Sequence, residues 1–308
     1  MTTLDASLLR QAAANAAGAQ RYPTGALYVV ATPIGNLADL SLRAIHVLAL
    51  VDAIACEDTR HTAPLLRQLG IADTPLVALH EHNEREAAAA VLERLARGER
   101  VAYVSDAGTP AISDPGAVLV AAAQAAGVSC VPVPGASSAV AAMSVAGDDQ
   151  ATGFMFVGFL PAKGAERARA VADLAAAHAA QVLFEAPHRI EALAVALAAA
   201  CRARRVTLCR ELTKQFESIV TLPAAELPAW LASDPNRSRG EFVLVVHALP
   251  RDDALADDPA AHDTLLRTLL AALPLKQAVA LAAQLSGAPR NRLYERALAL
   301  KEGAARTS

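Results

Sequence analysis

The sequence predicts an α/β fold with two α/β domains and a small helical tail. Strand-length apolar runs alternate with helical patterns through the first half of the chain. Every loop that follows a strand is polar or rich in Gly and Pro, whereas the helix-to-strand connections are short and bland. After about Asp149 the apolar pattern changes, which marks a second sheet. A length of 308 residues suits two modest domains. Hydrophobic residues make up 54% of the chain and aromatic ones only 4%, so much of the apolar content is alanine, which favours helices. No apolar run reaches the roughly 18 residues of a spanning helix, and no membrane partner is expected.

Residues 1–24 read as a flexible or weakly helical, Ala-rich extension without the basic start and apolar core of a signal peptide. Residues 25–149 hold the first domain. Its runs are Leu27 to Ala31, Ala53 to Cys56, Leu76 to Leu79, Val101 to Val104 and Ser129 to Val133. Helices fit between them, from about Ser41, a good N-cap, to Leu50, from Arg85 to Arg97 before Gly98, and up to Ala126. Residues 150–249 carry runs at Phe154 to Leu160, Gln181 to Phe184, Val206 to Cys209, Ser218 to Leu222 and Phe242 to Val246, read as a mixed sheet. Helices are expected from Glu166 to Ala177 and from His188 to Ala200. Residues 250–263, acidic and Pro-containing, read as a linker, and 264–308 as three short helices that suit a helix-turn-helix unit or a dimer-supporting bundle alike.

Net charge is −3, which argues against a surface coated for nucleic acid. The tail differs, with seven Lys/Arg against two acids from Thr264 onward, leaving an anionic partner open there. Cys56, Cys130, Cys201 and Cys209 share no metal-ligand spacing and read as thiols in a reducing, cytoplasmic compartment.

In open α/β sheets, ligands bind beyond the carboxyl ends of the strands, so the polar loops define the site. The glycine fingerprints of dinucleotide and P-loop enzymes are absent, which counts against a nucleotide-dependent oxidoreductase. The loops Thr32 to Gly35, Ala107 to Pro110 and Gly135 to Ser138 instead offer small residues that let backbone groups approach a flat polar ligand. An adenosine with a charged amino-acid tail suits them. Ordered motifs sharpen this picture: ATPIGNL from Ala31, ACEDTRHT from Ala55, HEHNE from His80, SDAGTPAISDPG from Ser105, VPGASSAVAA from Val133, GFLP from Gly158, EAPHR from Glu185, RELTKQFE from Arg210 and RGEFVLVV from Arg239.

Together these motifs resemble the small-subunit ribosomal RNA cytidine-2′-O-methyltransferases of the tetrapyrrole methylase superfamily, from about Leu27 to Val246. Ala31 and Ala186 stand where that family often has Gly and Ser. The resemblance implies two α/β domains with S-adenosylmethionine in a cleft between them, a homodimer, and ribosomal RNA within the small subunit as substrate. It would place the cofactor against Pro33, Asp106, Thr109, Pro110, Ser137 and Ser138, with Gly35 and Gly108 in the same loops, and it requires no metal.

The base that removes the ribose 2′ proton is sought among Glu57, Asp58, His82 and Glu185, in that order. Glu57 and Asp58 could equally form a helix cap and ion pair. His80, His82 and Glu84 lack a completing metal ligand, so hydrogen bonding is the better reading. Substrate contacts are expected from Arg60, Asn83, Lys163, His188, Arg189, Arg210 and Lys214, and in the tail from Arg290 and Arg292, with Arg296 on the same helix. A porphyrinoid methyltransferase on the same scaffold, or a non-catalytic RNA-binding assembly factor, would be the competing functions.

Overall fold

The computed structural model describes residues 5–80, 83–113, 115–249, 262–286, 288 and 290–305. His82, with Glu81, and Asp114 lie outside the described residues, as does most of the expected linker.

The first sheet is fully parallel. Its strands are β1 (Ala26–Val30), β2 (Ala53–Cys56), β3 (Leu76–Ala78), β4 (Val101–Val104) and β5 (Ser129–Val133), in the order β3-β2-β4-β1-β5. β2 and β4 are buried at every position, as expected where helices cover both faces. The helices are α2 (Leu42–Leu50), α3 (Thr59–Gln68), α4 (Glu84–Ala96), α5 (Ala117–Ala125) and α6 (Ser138–Ala146). Ser41 caps α2 by accepting from the Ala44 amide, and Asp58 caps α3 through the Arg60 amide.

The N-terminal segment is more ordered than a flexible extension. α1 (Ala6–Ala17) starts at Asp5, whose carboxylate accepts from the amides of Ser7 and Leu8. Ala13 is buried in the same cluster as Ala44, Val47 and Leu48 of α2. Alanine permits this close helix approach, which lets α1 dock against α2. Arg10 donates to the Gly70 carbonyl at 2.8 Å, and the ring of Tyr22 lies 5.0 Å from that of His46. Deleting residues 1–20 is expected to lower Tm by about 5 °C, checked by thermal melting; an unchanged Tm would mean that α1 adds nothing to the core.

The second sheet is mixed, as the sequence indicated. It contains β6 (Phe154–Phe159), β7 (Ala180–Glu185), β8 (Arg205–Arg210), β9 (Ser218–Pro223) and β10 (Phe242–Val246), in the order β6-β7-β10-β8-β9. Only β6 and β7 run parallel; the other pairs are antiparallel. One face packs on α7 (Gly164–Ala176), α8 (Ile190–Ala200) and α9 (Leu227–Ala232). The other receives α6, whose Ala139, Ala142 and Ala146 share a cluster with Val182, Cys209, Val243 and Val245. α6 thus joins the two sheets.

The chain divides into two compact units at Ala248. The second unit contains α10 (Asp263–Ala272), α11 (Leu275–Ser286) and α12 (Arg290–Ala305) around Leu266, Val279, Ala282, Leu293 and Ala297. Arg296 spends its guanidinium on Asp263, at 2.7 and 2.8 Å, so it braces α12 against α10. Among the described residues no helix is long and apolar enough to cross a membrane. The four cysteines are free, with Cys56 and Cys209 buried.

Candidate active site

The loops after the strands of the first sheet are tied to one another. β1 and β4 are neighbours, so their loops emerge side by side, and Thr32 and Gly108 exchange backbone hydrogen bonds of 2.9 and 3.1 Å. Gly108 adopts φ +84, a left-handed backbone that favours glycine, and a Cβ there would lie 3.2 Å from the Ile34 side chain. Thr109 donates to the Ala136 carbonyl at 3.0 Å, which binds the β5 loop into the group. The Asp58 amide donates to Asp106 at 3.1 Å, which adds the β2 loop. The convergence expected from successive strand ends therefore rests on named hydrogen bonds.

These loops face the second sheet across a cavity of about 410 Å³, within the range of nucleoside-sized ligand sites. Ile34, Ala107, Ser113 and Ser138 contribute from the first sheet's side, and Phe159, Phe184, Glu185, Leu212 and Val243 from the second. Leu212 is held between two residues in the left-handed region, Glu211 (φ 53) and Thr213 (φ 65), and Ala111 near Ser113 is a third (φ 63). Backbone strain of this kind, about 1–3 kcal/mol per residue, is concentrated at binding sites. The buried hydroxyls of Thr213 and Ser218 have no hydrogen-bond partner among the described residues. At one end, a side chain on Gly35 would collide with the stem of Lys214, so the β1 loop touches the β8–β9 loop.

Two further hollows adjoin the same loops. One, of about 280 Å³, is lined by Pro33, Gly35, His61, Ser105 and Asp106. The other, of about 430 Å³, is lined by Glu57, Asp58, Arg60, His80 and Asp106. Consecutive residues thus serve different spaces. Ile34 and Ala107 line the inter-sheet cavity, while Pro33, Gly35 and Asp106 line the hollows.

Of the expected cofactor residues, only Ser138 lines the inter-sheet cavity. Gly108 and Pro110 are buried supports of the β4 loop, and Ser137 is the N-cap residue of α6. Among the expected bases, Glu57 lines a hollow. Asp58 is engaged by Arg60, whose Nη2 lies 2.6 Å away; that hydrogen bond, with the helix cap, holds its pKa at about 2, far below that of a useful base at neutral pH. Glu185 is completely buried, 2.9 Å from both Arg167 and Arg189. Although the residue lines the cavity, its side chain is closed to solvent and both oxygens are ion-paired, the placement of a structural anion.

Several expected substrate contacts are also spent internally. Asn83 accepts from the His80 amide and donates to the Ala78 carbonyl, closing the turn before α4. Glu84 accepts from the amides of Gly116 and Val118 at the start of α5. Arg189 donates to the Leu160 and Pro161 carbonyls, Arg210 to those of Arg239 and Phe216, and Lys214 to Glu211 and Glu241. Lys163 and His188 are exposed, as are Arg290 and Arg292 on α12.

His61, which sequence reasoning passed over, sits in the first turn of α3. Its Nδ1 lies 2.7 Å from Oδ2 of Asp106. This hydrogen bond, reinforced by the carboxylate's charge, raises the imidazole pKa above its usual 6.5. Asp58, His61 and Asp106 bring ligand atoms within 4.8 Å of one another. Because Arg60 already occupies Asp58 and His61 occupies Asp106, the cluster is satisfied as a hydrogen-bonded network.

The family model for tetrapyrrole (corrin/porphyrin) methylases matches residues 26–228. The chain belongs to the tetrapyrrole methylase family. Residues 256–301 match the model of the RsmI C-terminal HTH domain. Within the tetrapyrrole methylases, the chain is 49% identical to the ribosomal RNA small subunit methyltransferase I of Pseudomonas aeruginosa over 89% of its length and 97% of that relative. Identity to the Escherichia coli O157:H7 protein of the same name is 46%, over 89% of this chain and 95% of the relative. The solved methyltransferase CobJ shares the methylase fold with a TM-score of 0.55 at 19% identity, covering 73% of this chain and 95% of that one. The Thermus thermophilus uroporphyrin-III C-methyltransferase, solved with S-adenosylhomocysteine, matches at TM-score 0.51 and 18% identity, over 71% and 96%.

Proposed function

We propose that this methylase transfers the methyl group of S-adenosylmethionine to the ribose 2′ oxygen of a cytidine in small-subunit ribosomal RNA, acting in the cytoplasm as a homodimer. The observation that carries the reading is the placement of a nucleoside-sized cavity beside hollows lined by Glu57, Asp58, Arg60, His61, His80 and Asp106. A polar, hydrogen-bonding rim suits a sugar and phosphate acceptor, whereas a macrocycle would need a wide apolar trough. The names of the relatives and the C-terminal module point the same way.

The cavity's chemistry fits the donor. Phe159 and Phe184 offer faces for an adenine ring, Ser113 and Ser138 offer hydroxyls, and the N-terminal turn of α6 offers backbone amides to a carboxylate. When bound, the donor supplies an electrophilic methyl group on a sulfonium. The protein's own contribution is alignment of the acceptor and removal of one proton. Exposed Arg290 and Arg292 on α12 would contact the RNA backbone, which positions without reading sequence.

The test is transfer of labelled methyl from S-adenosylmethionine to small ribosomal subunits, naked ribosomal RNA and a porphyrinogen, followed by mapping of the product. Label on a ribose 2′ oxygen of a cytidine in the subunit or its RNA is expected. Label confined to the porphyrinogen would reject the reading, and no S-adenosylmethionine binding by calorimetry would favour an assembly factor.

A further inference from the structure

The geometry points to His61 as the general base that takes the ribose 2′ proton, held in place by Asp106 as its positioning residue; the assignment rests on the ribose-methylation reading above. Three observations carry it. Nδ1 of His61 is fixed on Asp106 at 2.7 Å, which leaves Nε2 as the nitrogen able to accept. Nε2 has no hydrogen-bond partner among the described residues, and the imidazole lines the hollow formed with Pro33, Gly35 and Asp106. The neighbours of those residues in sequence, Ile34 and Ala107, line the inter-sheet cavity, so the same two loops border both spaces, and the acceptor ribose must reach round them for its 2′ oxygen to touch a donor held in the cavity.

Asp106 is itself anchored, because its Oδ1 accepts the Asp58 amide at 3.1 Å. The arrangement is carboxylate, imidazole and open nitrogen, in which the carboxylate fixes the tautomer and steadies the imidazolium. The other expected bases are weaker: Asp58 is held at about 2 by Arg60, and Glu185 is buried between two arginines.

The step balances. The 2′ hydroxyl gives its proton to Nε2 as the oxygen's electron pair forms the bond to the methyl carbon. The carbon–sulfur bond breaks with its electrons left on sulfur, whose positive charge is thereby neutralised. The imidazolium then returns the proton to solvent, to which the His61 side chain is 67% exposed.

Among the described residues, few groups set the imidazole's titration. Asp106 from the β4 loop and Asp58 from the cap of α3 favour the protonated form, and Arg60 beside them opposes it. Glu57 and His80 line the neighbouring hollow with Asp106, and the segment after β1 contributes uncharged Pro33, Gly35 and Leu37. The base works when neutral, so the rate should rise with pH through an imidazole pKa above 6.5.

The experiment compares wild type with His61→Gln, Asp106→Asn and Glu57→Gln. In the protein without cofactor, NMR titration should show the His61 imidazole titrating above 6.5 in wild type and lower in Asp106→Asn. On small subunits, His61→Gln should lose about 100-fold in kcat, at the lower end of general-base effects, with KM and calorimetric cofactor affinity unchanged. Asp106→Asn should lower kcat and shift the ascending limb of the pH profile downward, because the amide donates to Nδ1 and leaves the proton on Nε2. Glu57→Gln should keep the wild-type limb. If wild type methylates the 2′ oxygen and His61→Gln keeps its rate and pH limb, His61 is not the base. If the limb disappears in Glu57→Gln instead, the proton goes to Glu57. If wild type places no methyl on a 2′ oxygen, the parent reading fails first, while the NMR titration still reports the His61–Asp106 pair.

Discussion

Replacing Glu185 with alanine is expected to cost about 3–5 kcal/mol of folding stability, the usual loss when one partner of a buried ion pair is removed. The Glu185 side chain is fully buried, with Arg167 at 2.9 Å on one oxygen and Arg189 at 2.9 Å on the other. Both arginines also hold the turn after β6, through the carbonyls of Pro161 and Leu160. Arg189 Nε approaches the carboxylate without the alignment of a full hydrogen bond, so the attraction there is mainly electrostatic and an uncharged replacement would not reproduce it. Without the carboxylate, two guanidinium groups remain with little solvent to screen them. Denaturant unfolding measures the loss. Glu185→Gln keeps the volume and part of the hydrogen bonding; it should lose less stability and, assayed below its melting range, keep most of its turnover. A Gln variant with wild-type stability and a hundredfold lower rate would return Glu185 to the list of bases.

The contrast between Glu185 and His61 shows what the sequence made legible. The strands of the first sheet and their loops could be read because each loop's composition follows directly from what it adjoins. That these loops share one edge follows from parallel connectivity alone. Which motif residues face a ligand and which face each other depends on contacts distant in sequence. EAPHR and RELTKQFE look like recognition motifs, yet Glu185, Arg189, Arg210 and Lys214 find partners inside the protein. His61 has the opposite history: it followed Arg60 in a turn that read as a helix cap, and nothing local signals that Asp106, 45 positions later, closes on its ring. The order of the N-terminal helix is not legible locally, because a helix pair packed through Ala13 and Ala44 needs closeness more than bulk.

Filling the inter-sheet cavity from the first sheet's side is expected to weaken S-adenosylmethionine binding at least about 100-fold, or about 2.7 kcal/mol. Ala107→Trp is the sharpest way to do so. Ala107 is exposed on the β4 loop and lines the cavity with Ile34, Ser113 and Ser138, so the indole can occupy the cavity without displacing core. The fold should survive, with Tm close to wild type. The neighbouring Asp106→Ala makes the informative comparison. Its carboxylate faces the hollows, held by His61 and the Asp58 amide, so its loss should change cofactor affinity only a few-fold while impairing turnover. The family resemblance places Asp106 against the cofactor, which makes the pair decisive. Calorimetry on the two variants reads the difference directly. Wild-type affinity in Ala107→Trp, with binding abolished in Asp106→Ala, would move the cofactor from the inter-sheet cavity to the hollow beside His61 and remove the basis for His61 as the base.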